Sequence, residues 1–134
     1  MMDLETIAFV EKEKFKPFSW GVNDCHTLVL KYLDEVWGKD VHKEVFKKYN
    51  TKKEAVSYGK EYPESLSDGI IKAGATKIPP KMARIGDLLI VDHKLFQLAH
   101  ICLGSQIVSV FEGSHTNIFK IVDFSLFDWA LRIE

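Results

Sequence analysis

The sequence predicts an α+β domain in which helices come first and an antiparallel sheet follows. Three observations predict it. Helical periodicity fills the first two-thirds of the chain. After Ile78-Pro79-Pro80 it gives way to short, apolar, β-rich runs. Gly104-Ser105-Gln106 then separates two of those runs, which is a hairpin signal. The 134 residues fit one domain spanning 1–134 and leave little room for a second. A hydrophobic share of 46% with 28% charged residues is globular and supports a core without staples.

The elements follow in order. Leu4, Ile7, Ala8 and Val10 suggest a short amphipathic first helix, ended by Phe15-Lys16-Pro17 because proline and its predecessor disfavour helix. Phe18 to Asp24 is a loop with aromatic anchors. Asn23 or Asp24 caps a second helix. Its apolar residues Cys25, Leu28, Val29, Tyr32, Leu33 and Val36 form one continuous face, and Gly38 marks its C-terminal stop. From Val41 to Ala75 the spacing predicts two or three shorter, polar helices. One of them opens on the capping-box pattern Thr51-Lys52-Lys53-Glu54. Strands are predicted over 88–91, 99–103, 107–111, 118–122 and 129–133, with Gly104 at positive φ in the hairpin turn.

Charge and leader features narrow the function classes. Eighteen basic and 19 acidic residues give a net charge of -1, so no basic field exists to neutralise a phosphate backbone. Nucleic-acid partners are not expected. The N-terminus lacks a basic n-region and an uninterrupted apolar h-region, so no secretory signal is expected. No run of about 18 apolar residues predicts a membrane span. Two cysteines, Cys25 and Cys102, do not make a disulfide framework, and both are expected to be reduced, with Cys102 buried and structural.

Cys25 is the candidate nucleophile. A helix N-terminus stabilises a thiolate through unpaired amides and the positive end of the helix dipole, and the same amides can hold an oxyanion. Asp24 works against this unless its charge points away. The alternative is a small hydrophobic residue that starts a core stripe. A base would be a histidine. His26 lies about 100° around the helix from Cys25. His42 sits in a lysine-rich stretch and is expected at the surface, while His93 and His115 are expected in loops. His100 lies inside an apolar strand, where a polar ring needs a partner. It is the candidate base, with a satisfied structural histidine as the alternative. No ligand spacing of a known metal site occurs, and no cofactor is expected.

Several segments together resemble a known family. Phe18-Ser19-Trp20-Gly21-Val22-Asn23-Asp24-Cys25, running into an apolar helix, looks like the nucleophile segment of the NlpC/P60 papain-like superfamily. Arg84-Ile85-Gly86-Asp87-Leu88-Leu89 is similar to its Gly-Asp-Leu-Val strand, and Ala99-His100-Ile101-Cys102-Leu103-Gly104 resembles its histidine-bearing strand. Small bacteriophage members share the Trp-Gly-x-x-Asp-Cys opening, a Pro-x-x-Ala-x-x-Gly-Asp segment (Pro80 to Asp87) and a Trp-x-x-Arg-Ile C-terminus (Trp129 to Ile133).

The resemblance implies an NlpC/P60 fold, with the nucleophile helix packed on a C-terminal antiparallel sheet. It implies a thiol site in which Cys25 attacks an amide and a histidine is base and then acid. A polar side chain on the next strand would orient that histidine. Ser109 lies opposite His100 across a tight turn, with Glu112 and Gln106 as alternatives. When Ile101 to Gly104 is aligned on the family's Ile-Tyr-Leu-Gly, the family histidine falls on Leu98, so His100 would have to reach Cys25 through a shifted strand. The activity implied is a cysteine peptidase or amidase acting on peptidoglycan peptides from a phage particle. The alternative is a catalytically degenerate structural or adaptor protein of a tail assembly. The partners implied are phage tail or baseplate proteins, and the location is the virion.

Overall fold

The computed structural model describes residues 2–93, 96–121 and 123–134. Among the described residues four α-helices precede a six-stranded antiparallel sheet. The helices are α1 (Asp3–Glu13), α2 (Cys25–Trp37), α3 (Lys52–Glu61) and α4 (Leu66–Lys72). The strands are β1 (Thr76–Ile78), β2 (Leu88–Asp92), β3 (Gln97–Cys102), β4 (Gln106–Ser109), β5 (Asn117–Lys120) and β6 (Trp129–Arg132). Spatial order in the sheet is β1-β6-β2-β3-β4-β5. The α+β prediction and the helix-on-sheet arrangement are what the structure has. Strand β1, an edge strand paired to β6, has no predicted counterpart. Its sequence, Thr76-Lys77-Ile78, is too short to show a period. The end of the predicted 118–122 strand, Val122, lies outside the described residues. Among the described residues no helix is long and apolar enough to cross a membrane.

The sheet is apolar on both faces over its centre. Leu88, Ile90, Ala99, Ile101, Val108 and Leu131 share one core with Leu28, Val29, Tyr32 and Leu33 of α2. Leu89, Cys102 and Ala130 alternate with them and join a smaller cluster on the other face, together with Ile107, Phe124 and Phe127. The register pairs Leu89 with His100 and Leu88 with Ile101.

Two of the family-like segments prove to be joined. The Arg132 guanidinium donates to both carboxylate oxygens of Asp87, at 2.8 Å for the shortest contact, and to the Met82 carbonyl at 2.9 Å. Gly86 has φ 97°, and a Cβ there would approach the Tyr32 hydroxyl at 3.3 Å. That hydroxyl donates to the Gly86 carbonyl at 2.8 Å. The Gly-Asp and Trp-x-x-Arg motifs therefore lock β2, β6 and α2 together. Glu13 plays a similar part between α1 and α2. It is buried, and its carboxylate accepts from Lys16 at 2.6 Å and Lys31 at 2.8 Å.

Candidate functional site

The α2 N-terminus is built by its preceding loop. Gly21 has φ 79°, and a Cβ there would lie 2.0 Å from the Tyr49 carbonyl oxygen, so only glycine fits. This turn brings the Gly21 N–H onto Asp24 Oδ2 at 2.9 Å. Asp24 is the N-cap. Its Oδ1 accepts from the His26 and Thr27 N–H groups at 3.0 and 2.9 Å. Thr27 Oγ1 returns the favour by accepting from the Asp24 N–H at 2.7 Å, which completes a capping box. Asn23 is not the cap. Its amide donates to the Lys16 and Pro17 carbonyls and to Thr116 Oγ1, tying the loop to the segment before β5.

The Tyr49 hydroxyl donates to Asp24 Oδ2 at 2.8 Å and completes a buried, fully bonded carboxylate. Burial and the adjacent Asp24 charge keep that hydroxyl protonated. The sequence held no signal for Tyr49, which comes from a polar stretch 25 residues away. Trp20, the first residue of the motif, donates its indole N–H to Glu112 at 2.8 Å. Glu112 is thereby a loop anchor on the nucleophile side of the molecule.

Cys25 is the first residue of α2 and is half-buried. Its thiol is pushed up to about 12, first by burial and further by the Asp24 charge. The main-chain amides of Ala99, Cys25 and His26 act in the thiolate's favour and do not offset that burial. The neighbouring His26 turns its ring to the sheet, where Nε2 bonds the Gln97 carbonyl. The N-terminus of α2 thus covers β3 at Gln97 and Ala99, before β4 begins to pair at Ile101.

His100, the candidate base that would have to reach Cys25 through a shifted strand, has other neighbours. Its strand partner is Leu89, and its ring meets Phe127 edge-on with centroids 5.7 Å apart. Both belong to the sheet face opposite α2. Strand alternation is the cause, since Ala99 and Ile101 take the α2 side. Nδ1 of His100 is bonded to Ser109 Oγ at 2.9 Å, the cross-strand partner expected from the tight turn. Gly104 has φ 87° there, as the hairpin required. Burial holds the His100 ring down to about 4, so it is neutral at pH 7. No hydrogen bond joins His100 to Cys25 among the described residues, and Gln106 is exposed on β4. The structure brings His100 and Ser109 together, and no hydrogen bond links either to Cys25 among the described residues.

Both cysteines are free, and Cys102 is buried on the His100 face. His42, expected at the surface, is half-buried against Phe46, and burial lowers it below the usual imidazole range. Among the described residues no group of three His, Cys, Asp or Glu side chains gathers as a metal site.

A cavity of about 600 Å³ opens beside this helix end and is not lined by Cys25. His26 and Leu30 of α2 form one wall, and α3, α4 and the end of the β2–β3 hairpin form the others.

Comparison with known proteins bears on the fold and the family. A family model described as a domain of unknown function, DUF6950, matches residues 3–125. No curated protein matches the sequence. Among solved structures, the NlpC/p60 domain of the peptidoglycan hydrolase SagA superposes with a TM-score of 0.65 at 18% identity, covering 99% of this chain and all of that one. RipD of Mycobacterium tuberculosis, described as a non-catalytic NlpC/p60 domain protein adapted to peptidoglycan binding, gives 0.55 at 19% identity over 100% and 98% of the two chains. At these identities the likeness is one of fold: an NlpC/P60 arrangement over the whole chain.

Proposed function

This chain belongs to the DUF6950 family, a domain of unknown function, and on that premise we propose that it is a non-hydrolytic binding or adaptor domain of NlpC/P60 fold. The observation that supports the reading is that His100 bonds Ser109 beside the Leu89 and Phe127 cluster, with no hydrogen bond to Cys25 among the described residues. A Cys–His nucleophile needs the two side chains within hydrogen-bond reach, even if loosely before substrate binds. Here the ring belongs to the far face and is held by Ser109. The thiol, meanwhile, has no imidazolium to lower it from about 12. RipD, with the same fold, is described as non-catalytic and peptidoglycan-binding. A bacterial cell-wall peptide is accordingly the ligand class proposed for this chain. Assembly with phage tail or baseplate proteins is proposed from the sequence resemblance alone.

A second reading keeps the cysteine peptidase or amidase, with Cys25, His100 and Ser109 as nucleophile, base and orienting residue. It is favoured by Cys25 at the first position of a capped helix, with amides directed at the sulfur. It requires the β3 ring to cross to the α2 face.

Thiol alkylation separates the two. With iodoacetamide and mass-spectrometric readout, the proposal expects Cys25 to label slowly at pH 7 and faster with each step above pH 9. A fast labelling plateau near pH 7, lost in His100→Ala, would establish the hydrolase instead. Cosedimentation with purified peptidoglycan provides the complementary readout, in which Cys25→Ala should bind as well as the parent. Cleavage of peptidoglycan peptides by the parent and not by Cys25→Ala would overturn the proposal.

A further inference from the structure

The 600 Å³ cavity carries chemistry of its own, whether or not the thiol reacts. It is large enough for several residues of a peptide. Leu30, Val45 and Ile70 give it an apolar floor. Tyr58 of α3 and its C-cap residue Tyr62 stand on one side with their rings 5.7 Å apart. Phe96 stands on the hairpin side, edge-on to His26 at 6.0 Å.

The polar groups in this enclosure are unbalanced in charge. Among the described residues three carboxylates line it, Glu44, Glu64 and Asp92, against one lysine, Lys72. That lysine is bonded to Glu64 at 3.2 Å. Glu44 is fixed between the tyrosines. Its carbonyl accepts from the Tyr58 hydroxyl, and its Oε2 accepts from the Tyr62 hydroxyl at 2.7 Å. No lysine or arginine pairs with Glu44 among the described residues. An unneutralised carboxylate framed by aromatic rings above an apolar floor complements a cation on an aliphatic stem. The carboxylate offers a charge-assisted hydrogen bond, and the floor takes the methylenes. An anionic ligand meets the opposite conditions. The Tyr62 hydroxyl, pushed up to about 12 by Glu44, stays protonated and committed to that carboxylate.

We propose that this cavity is a binding site for an aliphatic primary ammonium group carried on a peptide, with Glu44 as the anchor between Tyr58 and Tyr62. The site is distinct from the Cys25 thiol, from which His26 and its bond to Gln97 divide it.

Two blocked tripeptides with a central lysine test this, one with a free ε-amine and one with that amine acetylated. Binding to the full chain is followed by ¹H–¹⁵N chemical-shift titration. The free-amine peptide should saturate, with the largest shifts at Glu44, Tyr58 and Tyr62. The acetylated peptide should bind at least about tenfold more weakly, the loss expected of one charge-assisted hydrogen bond. Glu44→Gln keeps an acceptor for Tyr62 and should weaken the free-amine peptide by a similar factor, while the distant Glu5→Gln should leave it unchanged. Equal binding of the two peptides, or no saturation by the free-amine peptide at millimolar concentration, overturns the proposal even if Glu44→Gln fails to fold. Undiminished binding to a folded Glu44→Gln does so as well.

Discussion

The N-terminus of α2 and the β3–β4 pair His100–Ser109 are both buried polar centres, one at a helix end and one within the sheet, yet they are built in opposite ways. The first is a charged group paired many times over. Asp24 accepts from Gly21, His26, Thr27 and Tyr49, and so joins three segments of chain. The second is a neutral ring with one hydrogen bond among the described residues, beside an apolar cluster. The difference shows where polarity is being used. At α2 a carboxylate is solvated by the protein so thoroughly that it organises the fold, and the adjacent thiol is left neutral beside it. At β3 the ring fills space in a small apolar cluster and is denied its charge. Neither centre supplies what the other would need for thiol chemistry.

Breaking the first centre should have the largest effect. Asp24→Ala removes the helix cap and strands the Tyr49 hydroxyl and the Gly21 amide. A cap contributes about 1 kcal/mol and hydrogen bonds to a charged group about 1.5–3 kcal/mol, so a loss of about 4 kcal/mol is expected in urea unfolding. Asp24→Asn, which keeps one acceptor, should lose about half of that. A loss below about 1 kcal/mol for Asp24→Ala would mean that this network does not organise the helix.

The second centre should reveal itself through pH. The His100 ring is held down to about 4 in the folded chain, whereas an unfolded histidine takes its proton near 6.5. The unfolded state therefore binds the extra proton across this window, and stability falls as pH drops from about 6.5 to about 4, with no further loss from this group below that. The expected contribution is on the order of 3 kcal/mol. Comparing unfolding of the parent with His100→Gln at pH 7, 5.5 and 4 isolates it, because the carboxylates titrate in both. Parallel pH curves would show that His100 is not held neutral.

The smallest effect sharpens the contrast. Ser109→Ala removes the one partner of His100 Nδ1 and should cost about 1–2 kcal/mol. It should leave the alkylation rate of Cys25 unchanged. A shifted rate would couple the two centres across the sheet and bring the hydrolase reading back.

The capping pattern of α3 shows how far local sequence reaches. Thr51 Oγ1 accepts from the Glu54 N–H at 3.1 Å, as the pattern predicts. The reciprocal half goes to a different donor, since Glu54 Oε1 accepts from the Asn50 N–H at 2.8 Å. The helix start was legible, and the partner one residue away was not, because the two amides compete within the same turn. In the same way Tyr58 and the C-cap residue Tyr62 lie four apart at the end of α3, but nothing local set Glu44 beneath them.

By itself the sequence determined the elements whose causes lie within a few residues. These are the capped and Gly38-terminated helix that starts at Cys25, the Gly104 hairpin that sets Ser109 against His100, and the change from helices to strands after Pro80. The tertiary structure alone decided which face of β3 the helix covers. A strand that alternates polar and apolar residues announces its core side. The run Leu98-Ala99-His100-Ile101-Cys102 is apolar around a single ring and buried on both sides, so its sequence is compatible with either choice. The choice fell to the packing of α2 against Ala99 and Ile101, and with it went the distance between a thiol and an imidazole that the sequence sets 75 residues apart.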